Sequence, residues 1–156
     1  MLFDRDGTIV IDEPYNGDPT KVRIVPGARL AIDRLRERGL PVGVITNQSG
    51  VGRGTITMEQ VEAVDRRIEA LLGVFDGWFI CPHAPNDDCA CRKPKPKLLF
   101  EAARAFGVAP ESVVVVGDRD ADTGVAINAG ACAIRVDGNV SLSDAVDQIL
   151  ARLEAP

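Results

Sequence analysis

Val113-Val114-Val115-Val116-Gly117-Asp118-Arg119-Asp120-Ala121-Asp122 runs four β-branched residues straight into a glycine and an acidic cluster. A run with no apolar–polar alternation predicts a strand buried on both faces of a parallel sheet, ending at Gly117. Val42-Gly43-Val44-Ile45, Trp78-Phe79-Ile80 and Ala133-Ile134-Arg135-Val136 read the same way. Helical patterns separate them. Pro26 opens a helix over Ala28–Arg38, which Gly39 stops. Thr57-Met58-Glu59-Gln60 has capping-box spacing, and Val61, Val64, Ile68, Leu71 and Leu72 follow at helical intervals. Further helices are predicted over Lys97–Phe106, Asp120–Ala129 and Ser141–Leu153. Strand alternating with helix specifies an α/β fold with a parallel sheet. Met1-Leu2-Phe3 is the first strand, short for a central one; it is either truncated or preceded by native residues upstream.

The chain has 156 residues, which predicts one domain over 1–156. Its net charge of −5 and aromatic content of 4% argue against a nucleic-acid partner, which would require phosphate neutralisation and stacking platforms. No apolar run reaches the roughly 18 residues of a membrane helix, and no signal segment opens the chain, so no membrane partner is expected. Four cysteines in such a chain suggest a reducing compartment, hence a cytoplasmic location. Residues 11–24, rich in Pro, Asn, Gly and Asp, read as a loop or flap over one end of the sheet.

Chemistry is concentrated where the predicted strands end, which is where α/β sheets bind ligands. Asp4-Arg5-Asp6-Gly7-Thr8 follows the first strand; period-two alternation places Asp4 and Asp6 on one side. Two carboxylates so close repel unless a divalent cation offsets them, a combination suited to phosphoryl transfer. A polar turn is the plainer reading of an isolated DxD. Thr46-Asn47-Gln48-Ser49-Gly50 follows the second run and can hold phosphoryl oxygens or simply form a turn. Arg92-Lys93-Pro94-Lys95-Pro96 is either a site element or a solvated basic patch. Gly117-Asp118-Arg119-Asp120-Ala121-Asp122 offers metal ligands, or an acidic helix N-terminus.

A second cluster, Cys81-Pro82-His83 with Cys89-Ala90-Cys91, contains the only histidine and three of the four cysteines. Three thiolates and an imidazole fill a tetrahedral Zn²⁺ shell, so a structural zinc loop is expected over 81–91; a disulfide or free thiols are the alternative. Zinc there would fix the loop that carries Lys93. Cys132 reads as an ordinary buried strand cysteine.

The four strand-end segments together resemble the signature series of the haloacid-dehalogenase-like phosphatases: strand then DxDGT, strand then Thr or Ser, a downstream Lys, and strand then GDxxxD. That resemblance implies a Rossmann-like three-layer sandwich with a mainly parallel sheet. It makes Asp4 the nucleophile, Asp6 the general acid and base, Thr46 a phosphoryl ligand and Lys93 the charge-offsetting cation. It places catalytic Mg²⁺ on Asp4, the backbone carbonyl of Asp6 and Asp118, with Asp122 supporting Lys93 or metal-bound water. The spacings leave no room for an inserted cap domain. The zinc-loop pattern further resembles the heptose-bisphosphate phosphatase and histidinol-phosphate phosphatase branches of that family. In the heptose branch Asn47, Gln48, Ser49, Arg53 and Arg92 would contact substrate. The implied enzyme is a monomeric, Mg²⁺-dependent phosphomonoesterase acting on a small phosphorylated metabolite, with sugar phosphate ahead of histidinol phosphate. A zinc-stabilised binding scaffold without catalysis is the alternative of another class.

Overall fold

Leu2 and Phe3 form the whole of β1 (Leu2–Phe3), and both are fully buried on opposite faces of a five-stranded sheet. The computed structural model describes residues 1–154; the domain expected over 1–156 includes Ala155 and Pro156, which lie outside the described residues. The other strands are β2 (Gly43–Asn47), β3 (Gly77–Cys81), β4 (Val114–Gly117) and β5 (Cys132–Arg135). Their order across the sheet is β3-β2-β1-β4-β5, and every neighbouring pair runs parallel. The short first strand therefore lies at the centre, pairing Leu2 with Gly43 on one side and Val115 on the other. Two residues suffice because the neighbours supply both hydrogen-bonding edges.

Helices α1 (Ala28–Glu37), α3 (Met58–Leu72) and α6 (Leu142–Glu154) cover one face of the sheet. Phe3, Val44 and Val116 from the strands meet Ile32, Leu35, Ile68, Val146 and Ile149 there. Helices α4 (Lys97–Phe106) and α5 (Asp120–Asn128) cover the other face, where Leu2, Ile45 and Val115 meet Leu99, Ala102 and Val125. This is the expected three-layer α/β sandwich. The helix boundaries fall within a residue or two of those read from the sequence, and Thr57 forms the expected capping box with Gln60. One helical turn, α2 (Ser49–Gly52), was not predicted. It packs so closely on the loop after β3 that a Cβ on Gly52 would lie 2.4 Å from the Ala84 nitrogen.

Two sequence expectations need correction. β3 and β5 are not buried on both faces, because they are the edges of the sheet and only β1, β2 and β4 are central. Cys132, expected inside, is exposed at the start of the edge strand β5. No helix among the described residues is long and apolar enough to cross a membrane.

The chain winds from β1 outward through β2 to β3, then crosses to β4 and β5 on the other side. The switch point lies at the carboxyl end of β1, where a crevice opens. Because Phe3 anchors the central strand, Phe3→Ala should cost about 3–5 kcal/mol of stability. Urea unfolding with an unchanged m-value checks this.

Candidate active site

Asp4 leaves β1 at the crevice; its backbone N–H still donates to the Val116 carbonyl at 2.9 Å. The chain then turns, the Arg5 carbonyl accepting N–H bonds from Ile9 and Val10, and Asp6 enters the same cleft. Gly7 makes the turn possible: its φ is +85°, and a Cβ there would lie 2.5 Å from an Asp118 carboxylate oxygen. Thr8 Oγ1 donates to Asp118 Oδ1 at 3.2 Å, linking the β1 turn to the end of β4.

The cleft, of about 510 Å³, is lined by Asp4, Asp6, Thr46, Asn47, Ser49, Arg92 and Lys93, with Asp12, Tyr15 and Arg119 on its rim. Lys93 is fully committed. Its Nζ donates to Asp4 Oδ1 at 2.8 Å, to Asp122 Oδ1 at 2.5 Å and to the Ile45 carbonyl at 2.8 Å, which uses all three ammonium protons. Burial alone would push the ammonium pKa down; Asp4 and Asp122 more than reverse that, and it lies above the ordinary lysine value. Burial pushes the Asp4 carboxyl up to about 7, with Lys93 opposing and Asp122 adding to the rise. Asp122 Oδ2 accepts the Arg119 N–H at 3.0 Å, so both its oxygens serve to hold other groups.

Asp4, Asp118 and Asp122 offer carboxylate oxygens within 4.8 Å of one another. Three carboxylates against one ammonium leave an excess of negative charge, and oxygen donors are what Mg²⁺ selects. The residues present therefore fit the ion that the sequence implies. The second cluster fits a different metal. Cys81, His83, Cys89 and Cys91 place three sulfurs and a ring nitrogen within 4.8 Å. Cys81 Sγ lies 3.0 Å from Cys91 Sγ, 3.6 Å from Cys89 Sγ and 3.7 Å from His83 Nδ1. No disulfide joins them. A tetrahedron with zinc–sulfur bonds of about 2.3 Å has edges of roughly 3.7 Å, so the cluster is close to that size. Burial pushes the Cys81 thiol up to about 12, which a bound cation would reverse.

Other expected site residues hold the scaffold. Asn47 clamps the lysine loop: its Oδ1 accepts the Lys93 N–H at 3.0 Å and its Nδ2 donates to the Lys93 carbonyl at 3.2 Å. Gln48 is buried and spends its amide on Asp6 Oδ2 at 2.8 Å and Thr46 Oγ1 at 2.9 Å. Ser49 and Arg92 face the cleft, while Arg53 is exposed and outside its lining.

Three features escaped sequence reasoning. Arg5 is buried and bridges Asp6 and Asp65. Asp65 lies inside α3, and burial raises its carboxyl to about 6 against the pull of Arg5. Its place four residues after Val61 and three before Ile68, on the apolar stripe, is the signal that could have revealed it. The third is an ion pair between Arg119 and Asp12 at 2.7 Å, which ties the 11–24 segment to the β4 end.

Lys93→Met strands two buried carboxylates and should cost about 3–5 kcal/mol in metal-free buffer. Its pH dependence has a definite sign. A folded-state Asp4 pKa raised above the unfolded value gives stability that is present at low pH and lost as pH rises through about 7. Lys93 is what opposes that rise, so without it folded Asp4 stays protonated to higher pH and the variant's deficit should grow as pH rises through about 7 to 8, as thermal unfolding in EDTA would show.

Residues 15–130 match the haloacid dehalogenase-like hydrolase family. The chain is 33% identical over 134 residues to the D-glycero-beta-D-manno-heptose-1,7-bisphosphate 7-phosphatase of Helicobacter pylori, covering 83% of this chain and 78% of that one. It is 34% identical over 137 residues to the histidine biosynthesis bifunctional protein HisB of Legionella pneumophila, covering 83% of this chain but 39% of that one. Among solved structures, the D,D-heptose 1.7-bisphosphate phosphatase from B. bronchiseptica, complexed with magnesium and phosphate, superposes with a TM-score of 0.87 at 30% identity. That match covers 97% of this chain and 98% of the other. On the sequence match, the shared fold and the strand-end carboxylates, the chain belongs to the haloacid dehalogenase-like hydrolases.

Proposed function

We propose that this chain is a Mg²⁺-dependent phosphomonoesterase that works through an aspartyl-phosphate on Asp4 and removes the 7-phosphate of D-glycero-D-manno-heptose 1,7-bisphosphate. The observation that carries the mechanism is the juxtaposition of Asp4, Asp6 and Lys93 at the cleft floor, with Lys93 Nζ 2.8 Å from Asp4 Oδ1.

The Asp4 carboxylate attacks phosphorus, forming an O–P bond as the ester O–P bond breaks. Asp6, entering as the acid, gives its proton to the departing alkoxide. Asp6, now a carboxylate, then takes a proton from water, whose oxygen attacks phosphorus and frees Asp4 and inorganic phosphate. Thr46 Oγ1 and backbone N–H groups of the following turn donate to the phosphoryl oxygens. Lys93 keeps Asp4 oriented and offsets charge on carboxylate and phosphoryl group. Mg²⁺, held by Asp4, Asp118 and the Asp6 carbonyl, would neutralise the repulsion between the anionic nucleophile and the anionic substrate. Zinc on Cys81, His83, Cys89 and Cys91 would serve structure, since four protein ligands leave it no open position. Reduced thiols are needed for that cluster, which supports a cytoplasmic location.

The rim supports a substrate with a second anionic group. Arg119 is spent on Asp12, whereas Arg92 meets no carboxylate among the described residues and donates only to the His83 carbonyl at 3.4 Å. The match to the Legionella protein supports histidinol phosphate as the second reading. Phosphate release measured side by side from the two substrates should favour heptose bisphosphate by about a hundredfold in kcat/KM. Asp4→Asn should abolish release from both while the protein stays folded. Preference for histidinol phosphate would transfer the assignment, and equally feeble rates would remove both substrates.

The metals should separate in their effects. Mg²⁺ added back to chelator-treated protein should restore turnover only where the thiolate cluster has kept its zinc. Stripping zinc should lower both the melting temperature and the rate, because Cys91 adjoins the Arg92-Lys93 loop. A folded, zinc-free sample with full activity would refute that link.

A further inference from the structure

Asp6 presents its two carboxylate oxygens to different surroundings. Oδ2 accepts Nε–H of Arg5 at 3.0 Å and Nε2–H of Gln48 at 2.8 Å. Oδ1 receives no hydrogen bond from the described residues, and Asp6 faces the cleft. Two N–H donors fill the acceptor positions of Oδ2, so in the acid form the proton is confined to Oδ1.

Arg5 can do this only if its guanidinium is itself held. It is 1% exposed, and its Nη1 donates to Asp65 Oδ1 at 2.8 Å. Asp65 belongs to α3, on its buried stripe with Val61, Val64 and Ile68, and does not line the cleft. Its only side-chain hydrogen bond among the described residues is the one from Arg5. A buried pair of this kind is poor value as a stabilising device, because apolar side chains of similar volume often do as well. Its location against a reacting carboxylate suggests what retains it.

We propose that Asp65 is a positioning residue for the reaction: through Arg5 it fixes Asp6 so that Oδ1 carries the proton toward the leaving oxygen. The inference rests on the phosphomonoesterase reading above. It assigns a role to an α3 residue outside the signature segments, and it also places Gln48 on the same carboxylate rather than on substrate.

The test compares two esters. Heptose 1,7-bisphosphate loses a primary alkoxide from C7 and needs the proton. 4-Nitrophenyl phosphate loses a stable phenolate and does not. The double variant Arg5→Met/Asp65→Leu replaces the pair with apolar side chains, and its melting temperature reports whether the core is intact. It should lose about 10²-fold on the heptose ester in kcat/KM, which reports the steps up to the aspartyl-phosphate and not its hydrolysis, with less than about tenfold in kcat/KM on the aryl ester. Adding Asp6→Asn to it should produce no further loss beyond that of Asp6→Asn alone, because both changes remove one function. Should the double variant not fold, Arg5→Lys keeps a buried cation beside Asp65 but cannot bridge both carboxylates as a planar fork does; it should show the same ester-selective loss. Equal losses on both esters, no loss on either, or losses that multiply with Asp6→Asn would overturn the inference. Unmodified protein that releases phosphate from neither ester would instead overturn the phosphatase reading on which it stands.

Discussion

The Lys93 ammonium is the group on which the site's geometry depends. Its three protons reach Asp4 after β1, the Ile45 carbonyl within β2, and Asp122 in the helix that follows β4. Strands joined only by backbone bonds could tolerate small shifts at their ends. A buried cation that must satisfy acceptors from three of them cannot, since leaving one unpaired costs more than the bond itself contributes. The same cation leaves the charge balance incomplete. Asp4, Asp118 and Asp122 approach within 4.8 Å, and a single ammonium offsets only part of that repulsion. A divalent cation and a phosphoryl group are complementary to what remains: one removes the excess negative charge, the other requires that it be removed before it can approach.

The lysine is in turn placed by a chain of local contacts that runs back to the thiolate cluster. Asn47, at the end of β2, pairs with both the N–H and the carbonyl of Lys93. The turn after it is fixed to the end of β3, where Gln48 N–H and Gly52 N–H donate to the Cys81 and Pro82 carbonyls at 2.7 Å each. Lys95 Nζ donates to the Cys89 carbonyl at 2.5 Å. The cluster therefore lies beside the loop that carries Lys93 in sequence and in space. Ligand chemistry would keep two metals apart: thiolates suit zinc, whereas hard carboxylate and carbonyl oxygens suit Mg²⁺.

Most of this was legible in the sequence because it obeys local rules. Strand runs ended at glycine or polar residues, helices carried caps and periodicity, and the chemistry fell at strand ends where a parallel sheet places it. What was not legible depends on which strand becomes an edge. The apolar runs at Trp78–Ile80 and Ala133–Val136 look like that at Val113–Val116, and only the β3-β2-β1-β4-β5 order leaves the first two half covered. Cys132 was misread for that reason. Arg5 escaped because its motif advertises the aspartates on either side, and an arginine after a strand is ordinarily solvated. Its burial becomes intelligible only once α3 brings an acid to meet it. Asn47 and Gln48, expected as substrate contacts, lie in the cleft lining and turn their amides to the protein, a distinction of side-chain direction that spacing does not encode.

The shape of the cleft follows from the absence of any large insertion between these elements. The 11–24 segment stands in for a cap: Val10 and Ile24 bridge at its base, and Asp12 pairs with Arg119 across the cleft mouth. That pairing has a consequence for recognition. It commits the Arg119 guanidinium to the flap, so the flap is held down at the cost of one cation that could have met substrate. Among the described residues Arg92 meets no carboxylate, and it lines the cleft on the side of His83, whose carbonyl it reaches. A substrate whose anionic ends lie at the phosphoryl site and near Arg92 gains at both, whereas a singly phosphorylated cationic substrate would meet Arg92 with like charge. Electrostatics at an open rim decides by what it repels as well as by what it attracts.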